Sequence, residues 1–186
     1  MMTSQVEKLP AMGISLMAHQ REALRVCDGA KVFGYLMGVG TGKTFTALED
    51  AYQLYQRDRI GVLVIVAPRS LCGQWAHELD RYYNDKKDFN YKVSFRNKIV
   101  RLYSDKLSIF IVNTESFSRP GNKFVNQIKM LVDHEYLRTM VVLDESTKIK
   151  NIAAKRTKLI TRIFWDCQYK RILTGTPITE NAKDAY

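Results

Sequence analysis

Apolar and polar positions follow two rhythms along this chain. Short continuous apolar runs recur at Lys31–Met37, Gly61–Pro68, Ile109–Asn113, Thr139–Leu143 and Lys170–Leu173, each of strand length. Gly61–Pro68 is β-branched throughout its centre, the mark of a strand buried on both faces, as parallel sheets require. Between these runs the apolar residues fall three or four apart. That spacing predicts a short helix opening at Leu16–Leu24 and ending near Asp28-Gly29, and another running through Gln56. A third follows Pro68-Arg69-Ser70, with Leu71, Trp75 and Leu79 on one face and Ser70 at its N-cap. A fourth spans about Asn122 to Val132. A fifth, Asn151 to Trp165, turns Ile152, Leu159, Ile160, Ile163 and Phe164 inward and Lys155, Arg156, Lys158 and Arg162 outward. A further strand is expected at Ile99–Tyr103. Residues 80–98 mix basic and aromatic side chains and read as a connection with some edge structure, either a packed surface excursion or a single-strand stacking surface. Residues 1–15 form a loose lead-in, and residues 16–186 one lobe. The alternation predicts an α/β fold: a mostly parallel central sheet, helices on both faces, ligands bound at the loop edge.

Composition narrows the class. The 186 residues, 46% apolar and 26% charged, suit one α/β domain with a sizeable core. The N-terminal stretch has no apolar signal region, and the longest apolar run, Val62 to Ala67, is too short to span a bilayer. No membrane is expected, and the location is intracellular, cytoplasmic or nuclear/nucleoid. Cys27, Cys72 and Cys167 are scattered, without a C-x-x-C pair, which argues for small core residues in a reducing compartment and against a zinc site. The net charge of +10 points to a polyanionic partner, the plain alternative being a solvated basic surface. The excess is uneven: from residue 148 to 171 Lys148, Lys150, Lys155, Arg156, Lys158, Arg162, Lys170 and Arg171 face the single acid Asp166.

The strongest chemical signal is Leu36-Met37-Gly38-Val39-Gly40-Thr41-Gly42-Lys43-Thr44, lying between a strand and a helix. Alternating glycines let backbone N–H groups curl around an anion, and the helix N-terminus faces the same anion. Lys43 supplies a mobile charge for outer phosphates, and the Thr44 hydroxyl is placed for Mg²⁺. Gly38, Gly40, Thr41, Gly42, Lys43 and Thr44 are thus the candidate triphosphate contacts. Met37 stands where the strict pattern has its first glycine. A dinucleotide loop is excluded, because G-x-G-x-x-G needs glycine at Lys43. The alternative is a glycine-rich turn with a chance Lys-Thr.

Further positions join this one. Asp144-Glu145 closes the Thr139–Leu143 strand, the Walker B arrangement: Asp144 for Mg²⁺, Glu145 to orient or deprotonate an attacking water. A single phosphate site requires the Lys43 loop and this acid pair at the tips of neighbouring strands. Gln20 carries an amide able to pair with adenine N6 and N7, although an exposed helical Gln is the plainer reading.

Gln20, the loop 38–44, Ala67-Pro68-Arg69-Ser70-Leu71 with Trp75, Asp144-Glu145, Ile149-Lys150-Asn151 and Thr174-Gly175-Thr176-Pro177 stand in that order. Together they resemble the first RecA-like lobe of superfamily 2 helicases, in particular the Swi/Snf-type DNA translocases, over roughly residues 16–181. The resemblance implies ATP with Mg²⁺ as cofactors and double-stranded DNA, held by its phosphate backbone, as partner. By the same resemblance Gln20 reads adenine, Thr174, Gly175 and Thr176 couple the nucleotide site to the DNA groove, and Pro68, Arg69, Ser70 and Thr114 lie along one backbone. Lys148 and Lys150 are further DNA candidates. Two departures stand out. Thr147 replaces the histidine of Asp-Glu-x-His, and the family's second lobe with its arginine fingers is missing. The expectation is a piece of a longer protein or half of a split one, weak or inactive alone and completed by a second RecA-like lobe. Other readings are a non-cycling ATP-binding interaction module, an RNA helicase lobe of the same superfamily, or a P-loop kinase, which lacks a recognisable acceptor site.

Overall fold

The computed structural model describes residues 15–83, 91–95, 106–119, 121–135, 138–145 and 154–175. The strand expected at Ile99–Tyr103 lies outside them, as do Lys148, Lys150, Ile152 and Thr176. In chain order the elements are α1 (Ala18–Cys27), β1 (Val32–Leu36), α2 (Lys43–Gln56), β2 (Val62–Ala67), α3 (Arg69–Tyr83) and β3 (Tyr91–Phe95). β4 (Leu107–Asn113) runs into a 3₁₀ turn, Thr114–Ser118, and is followed by α4 (Lys123–Glu135), β5 (Thr139–Leu143), α5 (Lys155–Phe164) and β6 (Tyr169–Thr174).

The six strands form one sheet in the order β1-β6-β5-β2-β4-β3, and every pairing is parallel. This is the parallel α/β sheet that the alternation predicts, and the RecA-like form that the resemblance implies. The pleat sends Leu63, Ile65 and Ala67 of β2 to one face and Val62, Val64 and Val66 to the other. The first face packs under α1, α2 and α3 with Leu48, Trp75 and Leu79; the second packs under the 3₁₀ turn, α4 and α5 with Phe117, Ile128 and Ile160. The three cysteines are free and buried, as expected of small core residues.

Two expectations are corrected here. The glycine loop and the acid pair do not sit on neighbouring strands, because β6 stands between β1 and β5. Arg171 does not belong to a solvated basic run either. Its side chain is 1% exposed and donates through Nε to Asp50 Oδ2 at 2.6 Å. Asp50, on the buried face of α2, also accepts from the Tyr35 hydroxyl at 2.9 Å, while Arg171 Nη1 donates to the carbonyls of Lys31 and Lys170. These partners compensate the desolvation of the two charges and pin α2 to β1 and β6.

Candidate nucleotide-binding site

The loop after β1 is shaped by its glycines. Gly40 and Gly42 have φ of +77° and +80°, the left-handed region that L side chains avoid. The Lys43 ammonium folds back over the loop and donates to the carbonyls of Met37 at 2.9 Å and Gly38 at 2.8 Å. The Thr41 hydroxyl closes the turn onto the same Gly38 carbonyl at 2.7 Å. Position 37 therefore contributes a carbonyl to the loop, a group that methionine supplies as well as glycine. α2 opens at Lys43 and Thr44, so its N-terminus faces the loop's concave side.

Gln20 is built into this loop rather than exposed. Its Oε1 accepts from Met17 N at 3.0 Å, and its Nε2 donates to the Thr41 carbonyl at 3.0 Å. His19 Nε2 also reaches the Thr41 carbonyl, at 3.0 Å. A Cβ on Gly42 would stand 2.3 Å from Gln20 Nε2, so any larger residue there would have to displace the Gln20 amide as well as adopt a left-handed backbone. A primary amide has two N–H donors and two acceptor lone pairs, and these bonds use one of each.

At the tip of β5, Asp144 accepts from the Trp75 indole N–H at 2.7 Å through Oδ2 and from Glu145 N at 2.9 Å through Oδ1. Glu145 has φ of +51°, and Asp144 N donates to the Val66 carbonyl of β2. Burial raises the Asp144 carboxyl above the usual aspartate range; the Trp75 and Glu145 N–H groups act against that shift, the Glu145 charge adds to it, and the Lys43 charge opposes it. Gly175, just beyond β6, packs against the loop: a Cβ there would lie 3.0 Å from Val39 Cγ2 and 3.5 Å from Lys43 Nζ. Thr174 beside it is buried. The loop, the β6 tip and Asp144-Glu145 thus share one edge of the sheet.

Farther along that edge, Arg69 and Ser70 are exposed at the start of α3. The helix opens at Arg69, with the Pro68 carbonyl accepting from Leu71 N and Cys72 N, so Ser70 lies inside the first turn and is not the N-cap. Arg69 N is held instead by the Glu115 carboxylate at 3.2 Å. An open cleft of about 730 Å³ lies here, lined in part by Arg69, Ser70, Asn113, Glu115 and Arg119. Thr114 is 3% exposed with its hydroxyl buried, so it presents no hydroxyl to this surface. On α5, Lys155, Lys158 and Arg162 are exposed.

Trp75 is core, as its place on the apolar face predicts, but it is also a donor to the acid pair. The available signal was an N–H that a buried indole must satisfy. Its acceptor, 69 residues away, could not be found by periodicity.

The parallel sheet and glycine loop define a P-loop lobe of the RecA type. The SNF2-related domain matches residues 20–186, and the chain belongs to that family. It is 28% identical over 157 residues to the chromatin-remodeling ATPase INO80 of Arabidopsis thaliana, covering 80% of this chain and 10% of that protein. It is 26% identical over 193 residues to the DNA repair and recombination protein RAD54B of Gallus gallus, covering 95% of this chain and 20% of that one. The chain thus spans a tenth to a fifth of the length of these relatives. Among solved structures, the Sulfolobus solfataricus SWI2/SNF2 ATPase core in complex with dsDNA superposes with a TM-score of 0.72 at 19% identity, covering 97% of this chain and 36% of that one. The UvsW helicase from bacteriophage T4 gives 0.61 at 16%, covering 92% and 56%. At these identities the structures bear on the fold. Among the described residues no helix is long and apolar enough to cross a membrane.

Proposed function

We propose that this chain is the ATP-binding lobe of an ATP-dependent double-stranded DNA translocase, with hydrolysis coupled to movement and completed by a second RecA-like lobe. The observation that carries this reading is the common sheet edge, on which the Lys43 loop follows β1, Gly175 follows β6 against Val39 and Lys43, and Asp144-Glu145 follows β5. The donor set fits a magnesium–triphosphate: a glycine cradle, a helix N-terminus, a flexible ammonium, a hydroxyl at Thr44 and a carboxylate at Asp144.

In this reading Gly38 to Thr44 hold the phosphates, and Lys43 exchanges the Met37 and Gly38 carbonyls for phosphate oxygens. Thr44 and Asp144 hold Mg²⁺, which supplies charge neutralisation on the phosphates when bound. Glu145 orients the attacking water and takes its proton. The remaining N–H and lone pair of Gln20 suffice for one adenine edge, so the amide reads the base without releasing the loop. Thr174, Gly175 and Thr176 carry the state of the phosphates toward the DNA side. Pro68, Arg69 and Ser70, with Lys148 and Lys150, grip the phosphate backbone of DNA; that SWI2/SNF2 core was solved with dsDNA, which supports the assignment. The location is intracellular.

Steady-state hydrolysis tests this. An arginine finger from the second lobe is worth about 10³–10⁵ in turnover, so the isolated chain should hydrolyse ATP well below about 1 s⁻¹, with or without duplex DNA. Adding the second lobe of a relative in trans should restore DNA-stimulated turnover. No turnover with that lobe supplied would favour a non-cycling ATP-binding module, and stimulation by RNA alone would favour an RNA helicase lobe.

A further inference from the structure

Trp75 heads the fully buried side chains at 1% exposure. On α3 it shares the inward face with Cys72, Leu79 and Tyr83. A buried indole N–H needs an acceptor, and here it takes Asp144 Oδ2 at 2.7 Å. The other oxygen of the same carboxylate is held by Glu145 N at 2.9 Å. Two donors arriving from different elements fix both the rotation and the tilt of the carboxylate plane. Each oxygen keeps a further lone pair for another partner. Carboxylates that hold metals depend on such outer donors for their orientation.

We propose that Trp75 is a positioning residue of the nucleotide site, its indole N–H setting the Asp144 carboxylate in the orientation that takes magnesium. The inference rests on the proposed role of Asp144 as the metal carboxylate. Because Trp75 sits in the second turn of α3, the helix that exposes Arg69 and Ser70 is tied rigidly to that carboxylate.

The chain has two tryptophans, Trp75 buried and Trp165 69% exposed, so its ¹H–¹⁵N spectrum offers two indole cross-peaks that test the idea directly. Binding of ADP with Mg²⁺ should shift the Trp75 indole peak, and ADP with Mn²⁺ should broaden it while leaving that of Trp165 sharp. In parallel, ADP affinity is measured by calorimetry with Mg²⁺ and with EDTA for the unaltered chain and for Trp75→Phe, with thermal melts confirming that the variant is folded. The expected result is a loss of about 10-fold or more in the magnesium-dependent part of the affinity, the EDTA value being unchanged. A purely structural Trp75 would lower the melting temperature and leave that split intact. If ADP binds but Mn²⁺ does not broaden Trp75, the metal role of Asp144 fails and the positioning role with it. If Mn²⁺ broadens the peak yet Trp75→Phe keeps the full magnesium increment, only the positioning role is overturned. Should Trp75→Phe fail to fold, the unaltered chain still decides: an indole peak unmoved by ADP with Mg²⁺ overturns the proposal, and a shifted one supports it.

Discussion

Gln20 stands directly behind Gly42: the place a Cβ would take at residue 42 is 2.3 Å from the Gln20 amide nitrogen, on a backbone with φ of +80°. Backbone handedness holds this glycine, and a Cβ would in addition push the Gln20 amide off its bond to the Thr41 carbonyl. Gly42→Ala should weaken nucleotide binding by at least about 5- to 30-fold, the equivalent of about 1–2 kcal/mol of left-handed strain. Gln20→Ala removes the clash together with the adenine contact, so the comparison is made in that background: Gly42→Ala should cost less there than in the parent chain. Calorimetric ADP titration checks both, and Gly42→Ala binding as tightly as the parent would show that the loop relaxes freely.

The buried Arg171–Asp50 pair sets a second expectation. Asp50→Ala strands a charge that is 1% exposed and should cost about 3–5 kcal/mol in urea unfolding. Asp50→Leu combined with Arg171→Met removes both charges and should return most of that stability. A small effect of Asp50→Ala would mean that Arg171 finds water or another acceptor.

Duplex DNA binding should fall with salt at a log–log slope of about −0.9 per phosphate neutralised. Replacing exposed Arg69, Lys155 or Lys158 by alanine should flatten that slope by about 1 wherever the residue meets a phosphate. The Asp50→Leu, Arg171→Met double variant should leave the slope unchanged, since Arg171 is interior. Fluorescence anisotropy at several salt concentrations measures this. A shallow slope in the parent chain would remove the basic surface as the footprint.

The cysteines give an alkaline signature. Burial pushes the Cys27 and Cys72 thiols up to about 11 and Cys167 up to about 12. Since the folded values lie above the unfolded one of 9.0, their contribution to stability is complete below that pH and is lost as pH rises through about 11 to 12. A thiol-specific chromogenic reagent at pH 8 should titrate none of the three in the native chain and all of them in denaturant. Rapid labelling of the native chain would contradict their burial.

How far the chain could be read in advance depended on whether a signal was local. The strand Thr139–Leu143 and the helix ending at Gln56 lie where apolar spacing puts them, because burial on a sheet or along a helix stripe fixes that spacing. The glycine loop was legible because its conformation demands particular residues at consecutive positions. Arg171 was not. An arginine beside Lys170 looks solvated until Asp50, 121 residues earlier, is seen beneath it. α3 starts two residues earlier than a Ser70 cap would put it, because the Pro68 carbonyl and Glu115 do the work expected of that cap. Gln20 was visible as an amide before the loop, whereas its grip on Thr41 required the tertiary approach of α1.

The place of β6 in the sheet has a consequence for biogenesis. β1 pairs with β6 and with no other strand among the described residues, so β1 waits for a strand made more than a hundred residues later. A ribosome-bound chain that has not yet released Tyr169–Thr174 leaves β1 unzipped from the rest of the sheet, with its glycine turn detached from the acids of β5. Competence to capture a ligand should therefore arise in a single step, when β6 enters between β1 and β5.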